Sequence, residues 1–397
     1  MLSSSTPFLR LSPLSLYIHI PWCILKCPYC DFNSHEVQLF DEDAYIKQLM
    51  LDLSHEQQWL DKRNAARKLQ SIFFGGGTPS LFSAKGIGTI LSGAENIVGF
   101  ETDIEITLEA NPGTFEQEKF SDFFHAGVNR LSIGVQSFNE SQLKILKRIH
   151  NSNEAQQAVL IAQKAGFDNI NLDLMHGLPK QTVDDAKRDL DIAIGLGVQH
   201  ISWYQLTIEP NTVFYHQPPP LPNDEMTDNI QYHGAALLTE HGYQQYEVSA
   251  FSQQATYQSR HNTHYWQFGD YIGIGAGAHG KLTDHHNSQI IRRQKARLPE
   301  HYLSSHGPPH HKESQVKRHE LALEFMMNAL RLNHGVPINY FSERTGLPFS
   351  HVASHINNLQ KKGLLKNSDQ RIVTTKLGHR FLNSVLETFS HSDRYGY

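Results

Sequence analysis

Apolar and polar positions alternate along the chain between two kinds of segment. Six short runs rich in β-branched and aromatic residues recur: SLYIHIP around Tyr17, QSIFFG around Phe73, DIEITLEA around Ile106, RLSIGVQ around Ile133, NINLDLM around Leu172 and HISWYQLTI around Tyr204. Between them apolar residues repeat at helical spacing over 43–60, 84–97, 116–126, 140–148, 153–165 and 183–196. After the first pair of runs the spacing settles near about thirty residues, the length of a βα unit. Strands alternating with helices predict an α/β fold with a parallel sheet, as a partial (β/α)6 TIM-like barrel, with a doubly wound sheet as the competing arrangement.

The pattern loosens further on. The segment 215–224 (YHQPPPLPND) is a proline-rich loop, 225–240 is helix-like, and the glycine-rich YIGIGAGAHG at 271–280 still belongs with the first domain. A polar stretch at 306–313 reads as a linker. Helical segments follow at 316–332, 337–345 and 350–362, then a hairpin at 364–375 and a helix at 377–389, an order that resembles a winged helix. The expected organisation is a disordered lead-in over 1–13, a main domain over 14–305 and a small, mainly helical domain over 314–397.

Composition narrows the class. Hydrophobic residues make up 39% of the 397, enough for a full core. No apolar run approaches the roughly 18–20 residues that span a bilayer, and the first residues lack the apolar block of a secretory signal. Both point to a cytoplasmic protein. A net charge of −5 supplies no general attraction to nucleic acid or anionic lipid. The winged-helix-like region is not strongly basic, so a nucleic-acid partner is not expected.

Cysteine is the informative count. The chain has 3, all inside CILKCPYC as Cys23, Cys27 and Cys30. Chance placement in so short a window would be roughly a one-in-a-thousand event, and an odd number argues against a disulfide framework. Pro21 and Pro28 block regular helix, leaving a loop directly after the first strand. Thiolates select iron–sulfur centres or zinc. A closed zinc site needs a fourth ligand, which one of the 25 histidines would have to supply, His19 for instance. Three thiolates on a [4Fe–4S] cubane instead leave one iron open.

CxxxCxxC after the first strand of a β/α array resembles the radical S-adenosylmethionine superfamily, and LYIHIPWCILKCPYCDFNSH resembles the oxygen-independent coproporphyrinogen III oxidase family within it. The similarity runs from Leu16 to the C-terminal module. It implies a [4Fe–4S] cluster on the three cysteines and S-adenosyl-L-methionine as cofactor. Several cofactor contacts carry over residue by residue. They are Gly76, Gly77 and Thr78 at the methionine part, Glu109 at the cluster, and Tyr17 and Tyr29 as flanking contacts. Gln136, Arg148 and Asp173 match positions around a second cofactor site. Read without the family, the triple glycine lets backbone approach a ligand and offers it free N–H and C=O groups, or is a plain tight turn, and the polar residues are also satisfied groups at a barrel rim. Gly273, Gly275 and Gly277 lack dinucleotide-fingerprint spacing and resemble a family segment near the cofactor adenine.

Two departures favour the family's haem-chaperone branch over its oxidases. The oxidases usually extend the motif to CxxCxC, where this chain has Phe32, and they carry a longer N-terminal extension. The string RHNTHYW, containing His261, His264, Tyr265 and Trp266, matches HNxxYW, which is associated with haem handling in that branch. Imidazole ligates haem iron and the two rings offer flat apolar surface, so His261 is the expected haem ligand and His264 a weaker one. Composition alone reads His261 as one solvated histidine among many. The resemblance implies a homodimeric carrier that delivers haem to recipient haemoproteins, with radical decarboxylation of coproporphyrinogen III as the enzymatic alternative.

Overall fold

The computed structural model describes residues 9–37, 39–304 and 311–390. All six expected strands form: β1 (Leu14–Ile20), β2 (Leu69–Gly76), β3 (Phe100–Ala110), β4 (Arg130–Gln136), β5 (Ile170–His176) and β6 (His200–Gln205). Each pairs in parallel with its successor in sequence order. A doubly wound sheet needs a reversal of strand order. None occurs along these six, so successive right-handed crossovers keep their helices on one side, as in a barrel.

The barrel does not close. After β7 (Gln244–Glu247) and β8 (Ala250–Ser252), β9 (Asp270–Ile274) crosses to the far edge and runs parallel to β1. β10 (His279–Asp284), β11 (Gln289–Lys295) and β12 (His311–Gln315) continue antiparallel from it. The resulting 12-stranded sheet has the order β12-β11-β10-β9-β1-β2-β3-β4-β5-β6-β8-β7. β1 and β5 are buried over nearly their full length, as strands covered on both faces must be.

The covering helices are α1 (Glu42–Asp61), α2 (Ala84–Ile97), α3 (Phe120–His125), α4 (Glu140–Ile145), α5 (Ser152–Lys164) and α6 (Val183–Gly195). Capping boxes start α5 at Asn151 with Glu154 and α6 at Thr182 with Asp185. Two expected helices are shorter. The 116–126 segment breaks near Lys119, whose Nζ donates to the carbonyls of Ser80 and Leu81. The 140–148 segment stops at Ile145, and Lys147 is left-handed at φ 51°. That turn swings Arg148 back toward the sheet.

α7 (Asp224–Glu240) and α8 (Arg260–Trp266) complete the larger unit, and α9 (Leu321–Ala329), α10 (Asn339–Thr345), α11 (Ser350–Lys361) and α12 (Leu382–Ser390) follow. Phe325, Phe341, Val352, Val385 and Phe389 centre a second apolar core, which Leu9, Phe268 and Ile290 join from outside it. Four expectations change here. Residues 9–13 are packed: Leu9 is buried, and Asp270 N–H donates to Ser12 Oγ. Residues 1–8 and most of the 306–313 stretch lie outside the described residues, but His311–Gln315 forms an edge strand. The hairpin at 364–375 reduces to a bridge between Leu365 and Thr374, because Arg371–Ile372 pairs with Val336–Pro337. The last helix breaks at Phe381, which leaves helical geometry. No helix among the described residues is long and apolar enough to cross a membrane.

Candidate cofactor site

The carboxyl ends of β1 to β6 share one rim, where side-chain sites of β/α barrels form. A cavity of about 290 Å³ opens there, lined by all three cysteines, the Gly76–Thr78 edge, Glu109, Gln136, Arg148 and Asp173. Cys23 is buried and Cys27 and Cys30 are half-buried, all as free thiols. The loop that carries them is tied down at several points. Cys30 N–H donates to Cys27 O (3.1 Å), Val37 N–H to Cys23 O (3.1 Å) and Phe214 N–H to Pro28 O (3.0 Å). Lys26 Nζ donates to the carbonyls of Phe32 (3.1 Å) and Ser34 (3.2 Å).

The donor set fits a cluster better than one ion. Among the described residues no three His, Cys, Asp or Glu side chains converge to hold a single metal ion. His19, the suggested fourth zinc ligand, has both ring nitrogens engaged. Nε2 lies 2.9 Å from Asn33 O, which only accepts, so the proton sits there and Nδ1 accepts from the Tyr17 hydroxyl at 2.9 Å. Burial pushes the Cys23 thiol up to about 11 and raises Cys30, so thiolate formation needs an electrophilic partner. Arg148 stands ready beside them. Its Nη1 lies 3.6 Å from Cys27 Sγ, Nη2 donates to Asn111 Oδ1 and Gly134 O (both 2.6 Å), and Nε is buried without a partner.

The glycine edge works differently from the free-amide cradle its sequence suggests. Gly77 and Thr78 N–H already donate to Ile20 and Trp22 carbonyls (both 2.7 Å), and Gly76 N–H to Glu109 Oε2 (3.2 Å). The glycines instead permit close approach. Gly76 has φ +116° and a Cβ on it would meet the His19 ring at 2.5 Å, while one on Gly77 would meet Trp22 O at 2.3 Å. The edge therefore presses against the residues that lead into Cys23.

Two half-buried carboxyls face this space. Burial, then the neighbouring Asp173, holds Glu109 up at about 8, and burial raises Asp173 against the hydrogen bonds from Asn171 and Ser132. Gln136 takes φ 70°, rare for a residue with a side chain, and accepts from the Tyr204 hydroxyl at 2.7 Å. Tyr29 also lines the cavity. Asn111, Ser132, Asn171 and Tyr204 were not singled out from sequence. The signal was present: 132, 134 and 136 on β4, and 171 and 173 on β5, share the inward face of alternating strands.

Tyr17 does not line this cavity. It lines a second one of about 600 Å³, which shares Gly76, Glu109 and Phe32 with the first and adds Tyr265, Tyr271, Gly277 and His279. Gly277, expected near the cofactor adenine, thus lies on the second cavity. His261 lines neither. It is 1% exposed, with Nδ1 3.0 Å from Ser71 Oγ and Nε2 2.8 Å from the Tyr265 hydroxyl. As placed, the ring has no nitrogen free for iron. His264 is also buried, with Nε2 donating to Asp270 O at 2.8 Å.

Known proteins match this arrangement throughout. Residues 17–193 match the Radical SAM superfamily and 316–381 the HemN C-terminal domain. The chain is 49% identical to the heme chaperone HemW of Haemophilus influenzae over 382 residues, spanning 96% of this chain and 98% of that protein. It is 46% identical to the heme chaperone HemW of Escherichia coli over 381 residues, spanning 96% and 99%. Among solved structures it resembles coproporphyrinogen III oxidase (HemN) from Escherichia coli, described as a radical SAM enzyme. There the TM-score is 0.78 at 22% identity over 96% of this chain and 91% of that one, a likeness of fold.

Proposed function

The chain belongs to the HemW family of radical S-adenosylmethionine proteins, and we propose that it is a cytoplasmic carrier that binds haem and hands it to haemoproteins. Cys23, Cys27 and Cys30 would hold a [4Fe–4S] cluster, with S-adenosylmethionine in the same cavity. When bound, such a pair supplies one-electron reductive cleavage of the sulfonium. The observation that carries the reading is the one cavity in which all three thiols stand together with two half-buried carboxyls.

The chain's own groups divide the work. Arg148 places a cation at Cys27 Sγ and favours its thiolate. Glu109 and Asp173 offer two acidic groups to a ligand that carries both an ammonium and a sulfonium. Tyr29 and Gln136 border the same space, while Tyr17 serves the neighbouring cavity. Phe32, 60% exposed and on the rim of both cavities, stands where the oxidases usually carry a further cysteine, which favours carriage over decarboxylation. Recipient haemoproteins, including respiratory enzymes, and a homodimer complete the proposal.

The test uses the full chain reconstituted anaerobically with iron and sulfide. Haem titration should show saturable uptake, and incubation with coproporphyrinogen III, S-adenosylmethionine and a reductant should yield no protoporphyrinogen. Turnover of coproporphyrinogen would overturn the carrier assignment.

Glu109 adds a pH signature. Its native proton is held up to about 8 against an ordinary 4.5, so between those values the unfolded chain is ionised while the native state stays protonated, and stability falls as pH rises over that window. A cationic ligand favours the ionised form, so S-adenosylmethionine binding should release protons and tighten from pH 6 to 8. Calorimetry in two buffers of different ionisation enthalpy measures the release. Glu109→Gln should flatten the pH dependence, and equal slopes in both proteins would exclude Glu109 as its source.

A further inference from the structure

Asp173 ends a hydrogen-bond chain that reaches through four strands and that the cofactor contacts alone leave unexplained. Asn171 Nδ2 donates to Asp173 Oδ1 (2.8 Å) and to Ser132 Oγ (2.7 Å), and Ser132 Oγ donates on to Asp173 Oδ2 (3.0 Å). Behind Asn171 stands His200. Its Nδ1 lies 2.6 Å from Asn171 Oδ1 and its Nε2 lies 2.9 Å from the Tyr246 hydroxyl. Tyr246 in turn accepts from Ser259 N–H at 3.2 Å. Asn171, His200, Tyr246 and Ser259 are all buried, so water does not compete for these links.

Chemistry fixes the direction of each link. Ser202 N–H points at Asn171 Oδ1 from 2.9 Å, and a backbone amide only donates, so that atom is the oxygen and the side-chain amide is not flipped. His200 Nδ1 faces the same oxygen and must carry the ring proton. Its Nε2 is then a lone pair that accepts the Tyr246 O–H. Burial, then the Arg130 cation, pushes the His200 pKa well below its ordinary value, which keeps the ring neutral. All donors therefore point one way, from Ser259 N–H to the Asp173 carboxyl, and aligned links of this kind polarise one another. Burial raises the Asp173 pKa, and the hydrogen bonds from Asn171, Ser132 and Ser202 oppose that rise.

We propose that His200 and Asn171 are positioning residues for S-adenosylmethionine: through this one-way chain they hold the Asp173 carboxyl as an aimed acceptor for a cationic group of the ligand. The inference rests on the cofactor assignment above. It also connects the buried RHNTHYW segment to the cofactor cavity. Ser259, whose N–H starts the chain, caps α8 by accepting Asn262 N–H at 3.3 Å. The other charged and titratable groups facing Asp173 are Glu109 on β3, Arg130 on β4 and Tyr204 on β6, with Arg148, Tyr29 and the thiols across the same cavity.

The test titrates S-adenosylmethionine into the full, anaerobically reconstituted chain from pH 6 to 8. His200→Phe should weaken binding about three- to tenfold at pH 6, the span of one net hydrogen bond. The loss should shrink towards pH 8, where the Asp173 carboxyl needs less help to ionise. Glu109 titrates in every variant, so the difference between variants reads Asp173. His200→Gln should restore most of the affinity, because an amide again offers one donor and one acceptor. Tyr246→Phe deletes a single hydroxyl and should give a smaller loss of the same pH shape; it carries the test if His200→Phe does not fold. In an Asp173→Asn background His200→Phe should cost nothing further. A loss equal at every pH, or undiminished in that background, would overturn the positioning role and leave the cofactor assignment standing. Wild type that binds no S-adenosylmethionine would overturn both.

Discussion

Cys27→Ala should leave the reconstituted protein almost free of cluster iron, where wild type takes up about four irons and four sulfides per chain. The expectation follows from the ligand count. With 3 cysteines in the chain and His19 spent on Asn33 and Tyr17, neither a fourth thiol nor that imidazole replaces a lost thiolate. Two thiolates on a loop bind a cluster far more weakly than three, because each bond lost also frees chain that the others had ordered. Cys27 is the most informative of the three because Arg148 Nη1 lies 3.6 Å from its sulfur. Removing the thiol strands a buried guanidinium whose Nε already lacks a partner, so the metal-free variant should also be less stable, by about 1–3 kcal/mol. Iron and sulfide analysis with the visible spectrum reads the first effect, and thermal melting of the apo forms the second. Near-stoichiometric iron in the variant would mean that a ligand outside this set is in use.

Gly77→Ala should damage both fold and site although the residue brings no side-chain donor to either. Its Cβ would fall 2.3 Å from Trp22 O and 2.7 Å from Trp22 C, both backbone atoms. A flexible side chain could rotate away, but a backbone carbonyl cannot, so the β1 loop must shift. Overpacking of this kind costs about 1–3 kcal/mol. The displaced residue directly precedes Cys23, and Trp22 is itself stacked on Phe40 at 4.5 Å, which carries the shift into the aromatic layer under the loop. The expected result is a melting point lower by several degrees, with S-adenosylmethionine affinity reduced at least about tenfold. Gly88→Ala is the control, since a Cβ there meets nothing nearer than Ala126 at 3.7 Å. Equal behaviour of the two variants would remove the close-packing role given to Gly77.

Much of this was legible in the sequence because parallel strands announce themselves by continuous apolar runs. All six core strands formed where those runs stand, and the thiol, glycine, Glu109, Gln136, Arg148 and Asp173 positions converged on one cavity. What failed to show was set by distant contacts. Periodicity extended the fourth helix through Arg148, because nothing local reveals that Lys147 turns left-handed. The glycine run suggested free amides, yet its N–H groups are consumed by β1 and Glu109. His261 lies in a motif that advertises an accessible imidazole, but Ser71 on a strand 190 residues away engages it. Conversely, the second cavity carried no local signal, since its lining comes from β1, β2, β3, α8, β9, β10 and β11.

The most direct test of the central claim is electron paramagnetic resonance of the dithionite-reduced, anaerobically reconstituted chain with and without S-adenosylmethionine, alongside metal analysis of the same sample. The account predicts iron with a reduced-cluster signal whose g-values move when S-adenosylmethionine is added. Zinc in place of iron, or a cluster signal indifferent to S-adenosylmethionine, would contradict it.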